Sequence, residues 1–209
     1  KKKKIFGFHR AQTASAGNFT WHDEDTDIQV YAIRREAESK DAYFKLTSSL
    51  GFEITSSTYF NLFENNKWNF AVRVRNNKYP YTYDLSGSTG DSYFVEFVGY
   101  NSEGNTTKNY FSLSSSIPNA TGIKLLCNSK RLYAGAYRTN FTGSTIAKSD
   151  VKISDVKFWQ TYLDDETIKY HSYNPNNFGT KTPSRPDNIN TSIEYHEVTD
   201  LEALALHWR

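Results

Sequence analysis

Lys67–Arg75 (KWNFAVRVR) decides the fold class. Trp68, Phe70, Val72 and Val74 alternate with Asn69, Arg73 and Arg75, the period of two expected of a strand whose sheet has one dry and one wet face. The four apolar residues are expected to face inward and the two arginines outward. The same period extends along the chain in both directions. Asp27–Ile33 (DIQVYAI) places Ile28, Val30 and Ala32 on one face, with Gln29 and Tyr31 on the other. Ala42–Leu46 (AYFKL) turns Ala42, Phe44 and Leu46 one way and Tyr43 and Lys45 the other. Ser92–Tyr100 (SYFVEFVGY) is apolar on both faces apart from Glu96, which predicts a central strand. Asn109–Leu113, Gly122–Cys127, Arg131–Tyr137 and Val151–Trp159 complete a set of about nine or ten strands, the number of an antiparallel β-sandwich or jelly roll. The predicted class is all-β.

Turn chemistry separates these runs. Asn76-Asn77, Ser86-Gly87-Ser88, Thr89-Gly90, Glu103-Gly104-Asn105 and Thr142-Gly143-Ser144 all tolerate positive φ or cap their own backbone. One short helix is predicted at Asp164–His171 (DDETIKYH). Asp164 is a sound N-cap, Asp165 and Glu166 suit the positive end of the dipole, and Lys169 and His171 suit the negative end. Two apolar residues, Ile168 and Tyr170, are too few for a helical core, so the helix is expected to cap a sheet edge. After Gly179 the composition changes. Residues 1–178 are expected to form the sandwich and 179–200, rich in Pro, Asn and Thr, an extended linker. Residues 201–209 then alternate again (LEALALHWR), either as the first strand of a following module or as a strand that completes the sandwich.

Composition excludes several classes. Lys and Arg number 25 against 23 Asp and Glu, a net charge of +2, which argues against a nucleic-acid surface built on bulk positive potential. No apolar run approaches the roughly 20 residues that cross a bilayer, so membrane insertion through a helix is not expected. A single cysteine, Cys127, excludes an internal disulfide framework and a Cys-based zinc cluster. In the apolar run Ile123–Cys127 that cysteine is expected to be a buried small hydrophobe. The five histidines, at 9, 22, 171, 196 and 207, show no HxH or HExxH spacing. Lys1–Lys4 reads as a solvated charge run. The chain contains no methionine and both its ends run into strand patterns, so it is expected to be an excised piece of a longer polypeptide. Abundant Asn, Ser and Thr beside 16% aromatics suit an extracellular or virion surface domain.

Arg131–His171 resembles the closing segment of a laminin G-like, or concanavalin A-like lectin/glucanase, domain. Tyr133–Arg138 is similar to the family's "I-G-x-F/Y-R" strand, Gly143 to its Gly-containing loop, Ile153–Trp159 to "I-S-D-V-x-F/I-W", and Leu163–Ile168 to the "L-S/D-D-E-x-I" helical turn. Trp68–Val72 is similar to its mid-domain "W-x-x-V-A-V" strand, and the terminal LALHWR to its opening strand. The resemblance covers roughly residues 1–175. It implies a fold and, through the repeated opening strand, a tandem array of the kind found in large structural polypeptides of tailed phages. The superfamily also includes lectins, hydrolases and adhesion modules, so it implies no single activity.

The residues themselves offer three candidate chemistries. Glucanases of this superfamily set two carboxylates at i and i+4 on one strand. No strand here carries that spacing, and Glu96 stands alone in its strand, so no catalytic residue is assigned. Asp23, Asp25 and Asp27, at i, i+2 and i+4, could converge oxygens on Ca2+, while a solvated acidic turn is the plainer reading. Tyr79, Tyr81 and Tyr83 in Asn77–Asp84 (NKYPYTYD) could stack on pyranose rings, or line a sheet edge or a protein contact. Sequons at Asn18, Asn105, Asn119, Asn140 and Asn190 are no more numerous than composition produces.

The function expected is a non-enzymatic structural or adhesion module of a larger virion or extracellular polypeptide. Its partners would be other virion or surface subunits and host glycans. A dedicated carbohydrate-binding lectin is the alternative, and a glycoside hydrolase the third reading.

Overall fold

A computed structural model describes residues 2–10, 26–64, 66–78, 92–138, 145–146, 148–174, 176 and 204–208. Of the described residues 57% are strand and 13% helix, consistent with an all-β antiparallel sandwich, with no closed barrel among them. In chain order the elements are β1 (Lys2–Arg10), β2 (Thr26–Arg34), β3 (Ala42–Thr47), β4 (Glu53–Tyr59), β5 (Trp68–Asn76), β6 (Ser92–Glu103) and β7 (Thr106–Pro118). There follow α1 (Asn119–Cys127), β8 (Lys130–Ala134), β9 (Tyr137–Arg138), β10 (Thr145–Ile146), β11 (Val156–Trp159), α2 (Asp165–Tyr173) and β12 (Leu204–Trp208). Two compact units emerge. Lys1–Asn66, Val74–Phe97 and Ser112–Ile153 form one; Lys67–Arg73, Val98–Phe111 and Ser154–Arg209 form the other.

The first unit holds a five-stranded sheet of order β4-β3-β2-β1-β8. Alternation in β3 works as expected, burying Ala42, Phe44 and Leu46 and leaving Tyr43 and Lys45 half-covered. In β2 it does not. Every residue from Thr26 to Ala32 is buried, Gln29 and Tyr31 included, because the strand is covered on both faces. Gln29 is tolerated there because its amide donates to the Phe6 carbonyl at 2.7 Å and to that of Val30 at 3.2 Å. Gly7 makes room for this, since a Cβ at that position would lie 2.6 Å from Gln29 Oε1. Tyr31 lies under the Lys2 ammonium, 3.5 Å from the ring centroid. Lys3 is paired with Asp150. Lys2–Lys4 is thus part of a paired strand rather than a solvated charge run. A register shift in β3 between Tyr43 and Lys45 is filled by Ser56, whose hydroxyl accepts from Phe44 N at 2.9 Å and donates to the Ser57 carbonyl at 2.8 Å.

A three-stranded sheet has the order β5-β6-β7, with β6 central as its doubly apolar sequence predicts. Gly104 turns the chain between β6 and β7 at φ 57, a region that costs a glycine little. The expected strand over Arg131–Tyr137 is broken at Gly135, which has φ 70 and donates its N–H to the Ile5 carbonyl at 2.7 Å. Of Val151–Trp159 only the last four residues are strand, and they pair antiparallel with β12.

The sequence predicts one helix, and the described residues form two. Gly122–Cys127, read as a strand, lies inside α1. Its apolar run is too short for periodicity to separate strand from helix. Pro118 fixes φ at −58 in the N-cap position and cannot donate to a sheet ladder, and Gly122 lets the Tyr93 ring press against the helix. Cys127 is exposed rather than buried, since α1 turns Gly122 and Leu125 inward and leaves Ile123, Leu126 and Cys127 outside.

Gly122→Ala adds a Cβ 2.2 Å from a Tyr93 ring carbon. It should cost about 1–3 kcal/mol in urea denaturation through overpacking, even though alanine is the better helix former. An unchanged unfolding midpoint would refute this packing.

Candidate functional site

The most completely built polar cluster of the described residues centres on Arg73, which the sequence pattern turns toward solvent and the structure leaves only 8% exposed. Its guanidinium donates to the Leu163 carbonyl at 2.9 Å, pairs with Asp165 at 2.5 Å, and lies over the Tyr162 ring at 4.8 Å. A planar fork can satisfy all three at once, which a lysine ammonium cannot. The residues it grips lead into α2. There Asp164 caps the helix by accepting from Thr167 N at 2.7 Å, as the sequence predicts. Behind the cap, Leu163 and Ile168 are buried with Val98 and Tyr100, and Ala71 and Trp159 pack against them. The far end of α2 is fixed by Ser172 and Tyr173, whose hydroxyls lie 2.9 Å from Ser102 Oγ and 3.0 Å from Thr107 Oγ1. All of this positions a helix on a sheet and presents no open reaction centre.

Trp159 stacks on His171, with centroids 5.6 Å apart and planes 21° from parallel. Burial, with the Lys157 charge adding to it, pulls the imidazole from its ordinary 6.5 down to about 4. Its Nε2 is buried without a hydrogen-bond partner. This histidine is therefore neutral near pH 7.

The carboxylates with candidate chemistry are held in structural pairs. Glu96 accepts from Arg75 Nε at 2.7 Å, and Arg75 also covers the Phe94 ring. Asp27 does not lie in a loop: it is fully buried in β2, 3.0 Å from Arg10 and 3.6 Å from Lys130. Arg10 and Lys130 are directly opposed across β1 and β8, so the Asp27 carboxylate offsets two like charges. Burial is the main cause that lowers the Lys130 pKa, with Asp27 opposing it. Asp23 and Asp25, the other members of the acidic trio, lie outside the described residues, as do Tyr79, Tyr81 and Tyr83 and the 179–200 segment. Among the described residues no three His, Cys, Asp or Glu side chains gather as a metal centre. Asp155, just before β11, bonds His207 of β12 at 3.2 Å, a pair that sequence spacing does not reveal.

The ribbon formed by β11 and β12 presents an apolar surface. Its register opposes Phe158 to Leu206 and Val156 to Trp208, so these four share one face. Phe158, Leu206 and Trp208 are 40%, 42% and 59% exposed.

Two outcomes follow from the Arg73 and His171 environments. Arg73→Ala should destabilise the protein by about 2–3 kcal/mol, with Arg73→Lys recovering only part, because the Leu163 carbonyl and Asp165 lose their shared donor. Equal midpoints for the lysine and arginine forms would contradict the clamp. For His171, the folded form refuses a proton that the unfolded chain accepts, so stability is constant above pH 6.5 and falls as the pH drops from 6.5 toward about 4. That loss amounts to at most about 3 kcal/mol. In parallel denaturation series, His171→Phe should lose less stability than the parent across this window; parallel curves would refute the shift. No family model, curated protein or solved structure matches the chain.

Proposed function

We propose that the chain is a non-enzymatic structural or adhesion module, a laminin G-like bead of a larger virion or extracellular polypeptide. Its partners are neighbouring subunits, with host glycans as further ligands. The observation that carries this reading is the exposed apolar face of Phe158, Leu206 and Trp208 on a paired ribbon. Large apolar side chains grouped on a strand surface suit contact with another protein better than solvation. Glu96 adds to it: a general acid must hold and release a proton, and this carboxylate is tied to a guanidinium. Display on sheets braced by buried ion pairs asks for rigidity rather than turnover.

A carbohydrate-binding lectin is the second reading. Tyr110 favours it, being 65% exposed and stacked on Tyr100 at 5.9 Å, an aromatic surface of the kind that suits a pyranose. Tyr79, Tyr81 and Tyr83 are the sequence's own candidates for the same role.

A glycan array separates the two. A glycan retained by the parent and lost in Tyr81→Ala or Tyr110→Ala supports the lectin, whereas no retained glycan leaves the structural role alone. Hydrolysis of a β-glucan by the purified chain, abolished by Glu96→Gln, would overturn both.

A further inference from the structure

Among the described residues β7 is the terminal strand of its sheet. This strand runs for 13 residues and has β6 on one side and, among the described residues, no strand on the other. Natural edge strands are shielded by charge, proline or brevity. β7 has little of this. Its one charged residue, Lys108, is paired with Glu103 at the turn, its one proline is the last residue, and Asn109–Ile117 is uncharged. Phe111 and Ile117 are buried, and Ser112, Ser114 and Ser116 are exposed.

We infer that β7 pairs antiparallel with β7 of a second copy of this chain, about a two-fold axis at Ser112. An antiparallel pairing of identical strands is isologous, so every contact is made twice. With the axis at Ser112 all 13 residues find a partner. Ser112 meets its own copy, Phe111 meets Leu113, Tyr110 meets Ser114 and Lys108 meets Ser116, so no like charges are opposed. Aromatic–aliphatic and hydroxyl pairs of this kind favour cross-strand association. This self-complementary register, made twice and opposing no like charges, fits a second copy as the occupant. The paired length is about 44 Å, and with a sheet about 10 Å thick the total buried area is roughly 900 Å², below the standard size of specific interfaces. The dimer is therefore weak and reversible. Such pairing follows from strand chemistry whether or not the module is adhesive.

Sedimentation of the full chain carrying Cys127→Ser, over a concentration series, should show a monomer–dimer equilibrium. Ser112→Lys, which brings two ammonium groups together at the axis, should return the chain to monomer with its circular dichroism unchanged. Under mild oxidation in the same background, Ser112→Cys should cross-link to itself and Ser116→Cys should not. A monomer at every concentration, a dimer indifferent to Ser112→Lys, or equal cross-linking by both cysteine variants would overturn the inference.

Discussion

A guanidinium removed from water needs partners, and Arg73 finds a carbonyl, a carboxylate and a ring face in one short stretch, Tyr162–Asp165. The arrangement gives α2 its place. A nine-residue helix is too short to persist by its own propensity. The Asp164 cap orders its first turn, Arg73 holds the approach to it, and Ile168 and Leu163 bury its inner side. Similar logic recurs in the other unit, where the Asp27 carboxylate lets Arg10 and Lys130 stand opposite each other, and Glu96 balances Arg75. Charge inside the strands of this protein is a bracing material.

That use of charge is where sequence reading and structure part company. Period-two alternation holds in β3, where apolar and polar sides match the buried and half-buried faces. It misplaces Gln29 and Tyr31, because alternation presumes that one face stays wet and both faces of β2 are covered, and Arg73, because Tyr162–Asp165 covers it. The α2 cap was legible since Asp164, Asp165 and Glu166 act through local backbone geometry. α1 was not: the clues were Pro118 and Gly122, and the deciding contact, the Tyr93 ring against Gly122, joins residues distant in sequence. Cys127 followed the fate of α1.

The same distinction governs the candidate sites. Asp27 was visible as one of three alternating acids, but its partners Arg10 and Lys130 are brought to it by strand pairing, which spacing cannot disclose. The Asp155–His207 pair is hidden for the same reason. What spacing did disclose at Glu96 was its isolation from other acids, and its salt bridge to Arg75 gives that isolation a structural meaning.

The strand order also bears on how the chain comes together. β1 sits between β2 and β8, and its Phe6 pairs with Ala134. A ribosome must therefore emit most of the sequence before the first strand can be flanked on both sides. Non-local pairing of this kind is slow, since loop closure comes before any reward. During that interval the β8-facing side of β1 remains an open template, and a newborn chain depends on the speed of its own synthesis for protection against misassociation.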